Sequence, residues 1–217
     1  MLKEIKTEDG STTYYNEKVD DTYHSKSGAE EEAKKKYAEQ VKKFQSTKDE
    51  IVIYDVCFGL GYNTAAIMDE VTNKKLRIYC FENDKKILSK IPLLQPRFNS
   101  YNIIKKFIHE FLTKKTEEQI EPMSELRIVY GDMKKRIKET RERADYVFFD
   151  PFSPSKTPEM WTEEVFKDLH EKMTDTGLLF TYSCAKNVRE NMKRAGFTVI
   201  DGPVVGRRSP STIAKKN

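Results

Sequence analysis

Short, continuous apolar runs recur along the chain at Ile51–Phe58, Leu76–Phe81, Leu126–Tyr130, Tyr146–Phe149 and Leu178–Tyr182, with segments of helical periodicity between them. A strand buried on both faces reads this way, and parallel strands need a long crossover, usually a helix, to bring the chain back. The alternation therefore predicts an α/β fold whose mainly parallel sheet is covered on both sides. The end of the chain departs from this rule. Thr198–Ile200 and Ser211–Lys215 also read as strands, but Asp201–Pro210 joins them without a helix. Such a link permits an antiparallel pair and excludes a parallel crossover. The expectation is a seven-stranded, Rossmann-like sheet with an antiparallel last strand.

A chain of 217 residues suits one domain. Residues 1–217 are read as that domain, with 50–217 as the α/β core and 1–49 as an N-terminal extension. The extension begins with a hairpin around Asp9-Gly10, a dipeptide favoured in tight turns. A loop, Val19–Ser27, leads into an amphipathic helix, Gly28–Phe44, marked by Ala29, Ala33, Tyr37, Val41 and Phe44 at helical spacing. Its Glu30-Glu31-Glu32 and Lys34-Lys35-Lys36 blocks are explained by i,i+4 pairing on a solvated face.

Cys57, Cys80 and Cys184 fall in apolar runs, spaced for neither a zinc site nor a disulfide framework, and read as small buried hydrophobes. No metal is expected. The N-terminus lacks an apolar signal core, and no apolar run approaches the roughly 20 residues that span a bilayer. A soluble, cytoplasmic protein without a membrane partner is expected, and no obligate protein partner is evident. Lys and Arg exceed Asp and Glu by 39 to 35, a net charge of +4, so nucleic-acid contacts would have to come from local clusters such as Arg207-Arg208.

Gly59-Leu60-Gly61 lies between a strand and a helix, where glycines let a backbone turn sharply and approach a ligand. Glu82 ends the next strand, placed to accept the ribose hydroxyls of a nucleoside. Dinucleotide enzymes share that arrangement, but their fingerprint wants Gly or Ala where Thr64 stands, and the antiparallel ending favours S-adenosylmethionine. Asp132 ends a third strand, suited to an adenine amino group with Met133 against the ring; it is equally suited to cap the following helix. Asn63 has the same two readings, a helix cap or a contact to the methionine end of the cofactor.

The strand Tyr146–Phe149 runs into Asp150, after which Pro151, Pro154 and Pro158 stiffen the loop. A carboxylate beside aromatic surfaces can orient an amine and receive a proton while a base is held flat. Methylation at pyrimidine carbon 5 would need a cysteine nucleophile, and none lies in this loop. Nitrogen is the better acceptor.

The segment Asp150-Pro151-Phe152-Ser153-Pro154-Ser155-Lys156-Thr157-Pro158-Glu159-Met160-Trp161 resembles the Asp-x-Phe-x-Pro-x-Lys-x-Pro-x-Met-Trp signature of MnmC-type tRNA methyltransferases. Asp20-Asp21-Thr22-Tyr23-His24-Ser25, Phe58-Gly59-Leu60-Gly61-Tyr62-Asn63, Ala195-Gly196-Phe197 and Gly206-Arg207-Arg208 also match. The resemblance covers nearly the whole chain. It implies a Class I S-adenosyl-L-methionine-dependent methyltransferase fold and N-methylation of the 5-aminomethyl group of (2-thio)uridine at the wobble position of tRNA.

Carried over by position, Phe58, Gly59, Gly61, Asn63, Glu82, Asp132 and Met133 would bind the cofactor, and Tyr23 would close over it. Asp150 would orient the amine. Phe152, Lys156 and Trp161 would line the substrate side, and Arg207 and Arg208 would contact phosphate. Cys57 stands where the family often has glycine. Bifunctional members carry a flavin-dependent oxidase domain, and no FAD is expected for residues 1–217. Three other readings compete: a methyltransferase acting on another exocyclic or small-molecule amine, a polyamine synthase, and a non-catalytic RNA-binding module.

Overall fold

A computed structural model of the chain describes residues 1–44, 46–206 and 208–216. The chain opens with β1 (Leu2–Lys6), β2 (Thr12–Asn16) and β3 (Asp21–Thr22), which form a small antiparallel sheet of their own. This adds a strand to the expected hairpin. The long helix follows as α1 (Ala29–Glu32), a π-helical stretch Ala33–Ala38, and α2 (Glu39–Lys43). Its inward stripe packs on the main sheet, with the Tyr37 ring edge-on to Phe148 at 5.4 Å. Glu31 and Lys35 pair on the exposed face as expected, whereas Glu32 and Lys36 pair in the interior.

The core alternates as the apolar runs require: β4 (Glu50–Val56), α3 (Tyr62–Glu70), β5 (Lys75–Glu82), α4 (Lys85–Leu88) and α5 (Tyr101–Lys114). Next come β6 (Glu118–Glu121), β7 (Ser124–Tyr130), α6 (Met133–Glu139) and β8 (Ala144–Phe149). The chain closes with α7 (Glu163–Glu171), β9 (Met173–Thr181), α8 (Lys186–Arg194), β10 (Phe197–Val204) and β11 (Pro210–Lys216). Every residue of β8 is buried, because helices cover both faces of the sheet. Among the described residues, no helix is long and apolar enough to cross a membrane.

The main sheet runs β10-β11-β9-β8-β4-β5-β7-β6. β11 is antiparallel to both of its neighbours, and the helix-free link accounts for its pairing with β10. The sheet has one strand more than expected: β6 pairs antiparallel at the edge beside β7. Only Gln119 of β6 is buried, so an edge strand of this composition leaves no apolar run in the sequence. From β4 the chain moves outward to β5 on one side and later returns to β8 on the other. That reversal of strand order opens a crevice at the C-terminal tips, where ligands bind in such sheets.

Two backbone features shape the crevice. Gly61, at φ 75°, caps α3, and a Cβ there would lie 2.7 Å from Phe58 Cζ and 2.9 Å from Ile104 Cγ2. Cys57 also takes a left-handed φ of 65°, a conformation that glycine adopts more easily. The cysteine expectation holds only for Cys80, which is buried in β5; Cys57 and Cys184 are partly exposed and lie just past β4 and β9. Gly61→Ala is expected to cost about 1–3 kcal/mol through left-handed strain and the two close contacts. Urea denaturation measures it, and an unchanged midpoint would show that the loop relaxes freely.

Candidate active site

Carboxylates converge on the crevice from β4, β5 and the end of β8. Asp55, within β4, is fully buried and accepts a 2.6 Å hydrogen bond from Thr64 Oγ1 on α3. Glu82 ends β5 and accepts the amides of Gly59 (2.8 Å), Asn83 (2.8 Å) and Asp84 (2.9 Å). Burial pushes its carboxyl up, against the three amides that favour the charge. Asp150 follows β8. Its own amide reaches Val56 O at 3.2 Å, tying the loop to β4, and its Oδ2 accepts Asn63 Nδ2 at 3.0 Å. Asn63 thus lies inside the first turn of α3 and turns to Asp150, while Gly61 holds the cap.

Two cavities meet at Asp150. The first, about 360 Å³, is lined by Tyr23, Glu82, Asp84, Asp132, Met133 and Phe152 among others. Asp132 caps α6 by accepting the Lys134 amide at 3.1 Å and still borders this space, so the two readings of that residue are compatible. The second, about 210 Å³, lies between the proline-rich loop, the N-terminal helix and the β10–β11 loop, with Glu32, Lys36 and Tyr182 on its walls. Asp150, Pro151, Phe152 and Tyr23 border both. Tyr23 packs edge-on to Phe152 at 4.8 Å and donates to Asp84 Oδ2 at 3.0 Å.

The proline-rich loop is fastened on both sides. Ser153 N donates to Asp21 Oδ2 at 2.9 Å, and Lys156 pairs with Asp20. Lys156 therefore faces the N-terminal sheet and lines neither cavity. Trp161 is 2% exposed and also lines neither; its indole N–H and Thr157 Oγ1 both reach Phe152 O at 2.9 Å. These contacts hold Phe152 where the cavities meet. The Phe58 ring turns beneath Gly61, away from the open cleft, and Gly59 contributes an amide to Glu82. Arg208 is exposed in the β10–β11 loop, and Arg207 lies outside the described residues.

Burial pushes the Asp150 carboxyl up to about 7, helped by the nearby Glu32 charge and opposed by Asn63, Tyr37 and Lys36. Asp55 is pushed up to about 8, again chiefly by burial. Tyr37 Oη, which faces Asp150 outside hydrogen-bond geometry, Asp55 Oδ1 and Asn63 Oδ1 are buried without a partner. Asp55, Asp84, Tyr182, Glu32, Lys36 and Tyr37 stand at the site without having been expected there. Positions 32 and 36 follow Ala29 and Ala33 by three residues, so the same helical face carries them inward.

Residues 99–217 match a family described as S-adenosyl-L-methionine-dependent methyltransferase. The chain belongs to this methyltransferase family. The crystal structure of MnmC2 from Aquifex aeolicus is similar over 99% of this chain and 70% of that one, with a TM-score of 0.80 and 31% identity. An uncharacterized protein of Methanocaldococcus jannaschii is 31% identical across the whole chain, which spans 62% of that relative. The tRNA 5-methylaminomethyl-2-thiouridine biosynthesis bifunctional protein MnmC of Campylobacter concisus is 25% identical over 93% of the chain, which spans 34% of it. The methyltransferase cofactor is S-adenosyl-L-methionine, and the Class I fold expected from the sequence is the one observed.

The raised carboxyls set a pH dependence in the ligand-free methyltransferase. Asp55 and Asp150 ionise from an ordinary 3.8 when unfolded but near 8 and 7 when folded, so the fold binds more protons between those values. Stability is then lost as pH rises toward and through 7–8. Urea midpoints from about pH 6 to about pH 9 should fall in the wild type and fall less in Asp55→Asn. Equal slopes in the two proteins would contradict the assignment of Asp55.

Proposed function

We propose that this methyltransferase acts on the primary amine of 5-aminomethyl-(2-thio)uridine at the wobble position of tRNA, giving the 5-methylaminomethyl form. The observation that carries the reading is Asp150 at the junction of two cavities, one beside Glu82 and Asp132, the other beside Glu32 and Lys36. The resemblance of the proline-rich loop and the similarity to the MnmC protein of Campylobacter concisus support it. The residues present fit the cofactor. Glu82 would accept the ribose hydroxyls, Asp132 and Met133, which border the first cavity, would receive the adenine, and the Gly59–Gly61 turn, with Asn63 and with Phe58 packed beneath Gly61, would form the floor at the methionine end. Tyr23 closes the cleft from the N-terminal sheet.

When bound, S-adenosyl-L-methionine supplies an electrophilic methyl group on a sulfonium. The protein's task is to present a nitrogen lone pair in line with it. Asp150 accepts a hydrogen bond from the amine, fixing the direction of the lone pair, and takes up the proton that the nitrogen sheds. A carboxyl held near neutrality is matched to that exchange, since general catalysis works best with a pKa near the working pH. Phe152 holds the base flat, and Trp161 fixes Phe152 from behind through its carbonyl. Lys156 keeps the loop against Asp20. Arg208, with Arg207, meets backbone phosphate outside the second cavity. A tRNA substrate would set this work in the cytoplasm.

The direct assay incubates the protein with S-adenosyl-L-methionine and tRNA bearing 5-aminomethyluridine, and reads the nucleosides by mass spectrometry. The methylaminomethyl nucleoside is the expected product, and methylation of a different base would remove the reading. Asp150→Asn should lower turnover by about 100-fold or more while cofactor affinity changes by no more than about threefold. Unchanged turnover would take Asp150 out of the chemistry.

A further inference from the structure

The second cavity holds a buried ion pair. Glu32 and Lys36 lie one turn apart, Nζ 2.5 Å from Oε1, with side chains only 7% and 4% exposed. Withdrawing two charges from water is costly, and a helix gains as much from a pair left in solvent, such as neighbouring Glu31–Lys35. The hydrogen-bonding capacity of the buried pair is also only partly used. Glu32 Oε2 accepts the Ser25 amide at 3.0 Å. Among the described residues, Lys36 makes one hydrogen bond, to Glu32, leaving two ammonium protons for a ligand. Both side chains border the cavity with Asp150, where the Glu32 charge pushes its carboxyl up and the Lys36 charge opposes that push.

In a 5-aminomethyluracil, the amine, O4 and N3–H follow one another around the edge of the ring as donor, acceptor and donor. The three side chains offer the complement: Asp150 accepts, Lys36 donates and Glu32 accepts. Cytosine reverses the last two positions, with an amino donor on carbon 4 and an acceptor at N3.

We propose that Lys36 and Glu32 read the imide edge of the target base, Lys36 donating to O4 and Glu32 accepting from N3–H, so that the second cavity selects uracil over cytosine. Pro151 and Phe152 supply the apolar wall against which the ring lies. The inference rests on the aminomethyluridine reading above and names the atoms that choose the ring.

The test compares kcat/KM on anticodon stem-loop RNAs carrying 5-aminomethyluridine, 5-aminomethylcytidine or N3-methylated 5-aminomethyluridine. The wild type should prefer the first over each of the others by about 100-fold or more, because a site built on hydrogen bonds rejects bases that leave its groups unpaired. In Lys36→Met and in the Glu32→Leu/Lys36→Met double variant, preference over cytidine should shrink at least about tenfold, with S-adenosyl-L-methionine affinity within about threefold. The N3-methylated RNA needs no variant, so the test survives a misfolded mutant. Equal wild-type rates on all three RNAs, or variants that keep the wild-type preference, would overturn the proposal. If the wild type methylates none of the three, the aminomethyluridine reading itself has failed and the base-edge assignment falls with it.

Discussion

The hydrogen bond from Asn63 Nδ2 to Asp150 Oδ2, 3.0 Å long, crosses the point where strand order reverses. It joins the first turn of α3 to the end of β8, and it is one of the interactions that favour the charged form of a partly buried carboxyl. The site depends on that balance. An Asp150 fully exposed to solvent would be a permanent anion, weak as a proton acceptor; without a donor it would stay protonated and could not receive a hydrogen from an amine. The glycine turn exists in part to make the contact possible. Gly61 must be left-handed and bare for α3 to begin close enough for Asn63 to reach across.

Around this contact the N-terminal extension is part of the site. Tyr23 forms a wall of both cavities, Asp20 and Asp21 hold the proline-rich loop, and the long helix brings Glu32 and Lys36 to the second cavity and Tyr37 against Asp150. The rigidity has a physical source. Prolines at 151, 154 and 158 limit the backbone, while the Phe152 carbonyl accepts from both Thr157 and Trp161. The aromatic residue is thereby fixed by its main chain, leaving its ring to face a ligand.

Much of the fold was legible because buried parallel strands have no freedom to be polar. The runs at 51–58, 76–81 and 146–149 became β4, β5 and β8 with small changes at their ends. β6 escaped because an edge strand buries too little to leave a pattern. Asp150, Glu82 and Asp132 were visible as acids at strand tips, and the sheet topology brings them to one crevice. Glu32 and Lys36 were not, since i,i+4 pairs look the same whether solvent or protein covers them; only the packing of Ala29, Ala33 and Tyr37 decides the face. Motif membership also overstated contact. Trp161 and Lys156 belong to the signature but serve the loop from outside the cavities.

In the proposed arrangement the cofactor and the amine meet on opposite sides of Asp150. A crystal structure of the protein with S-adenosylhomocysteine and 5-aminomethyluridine tests it most directly. The nucleoside's ring is expected in the cavity of Glu32 and Lys36, its amine within hydrogen-bond distance of the Asp150 carboxylate, and the cofactor ribose at Glu82. An amine bound away from Asp150, or a ring outside that cavity, would contradict it.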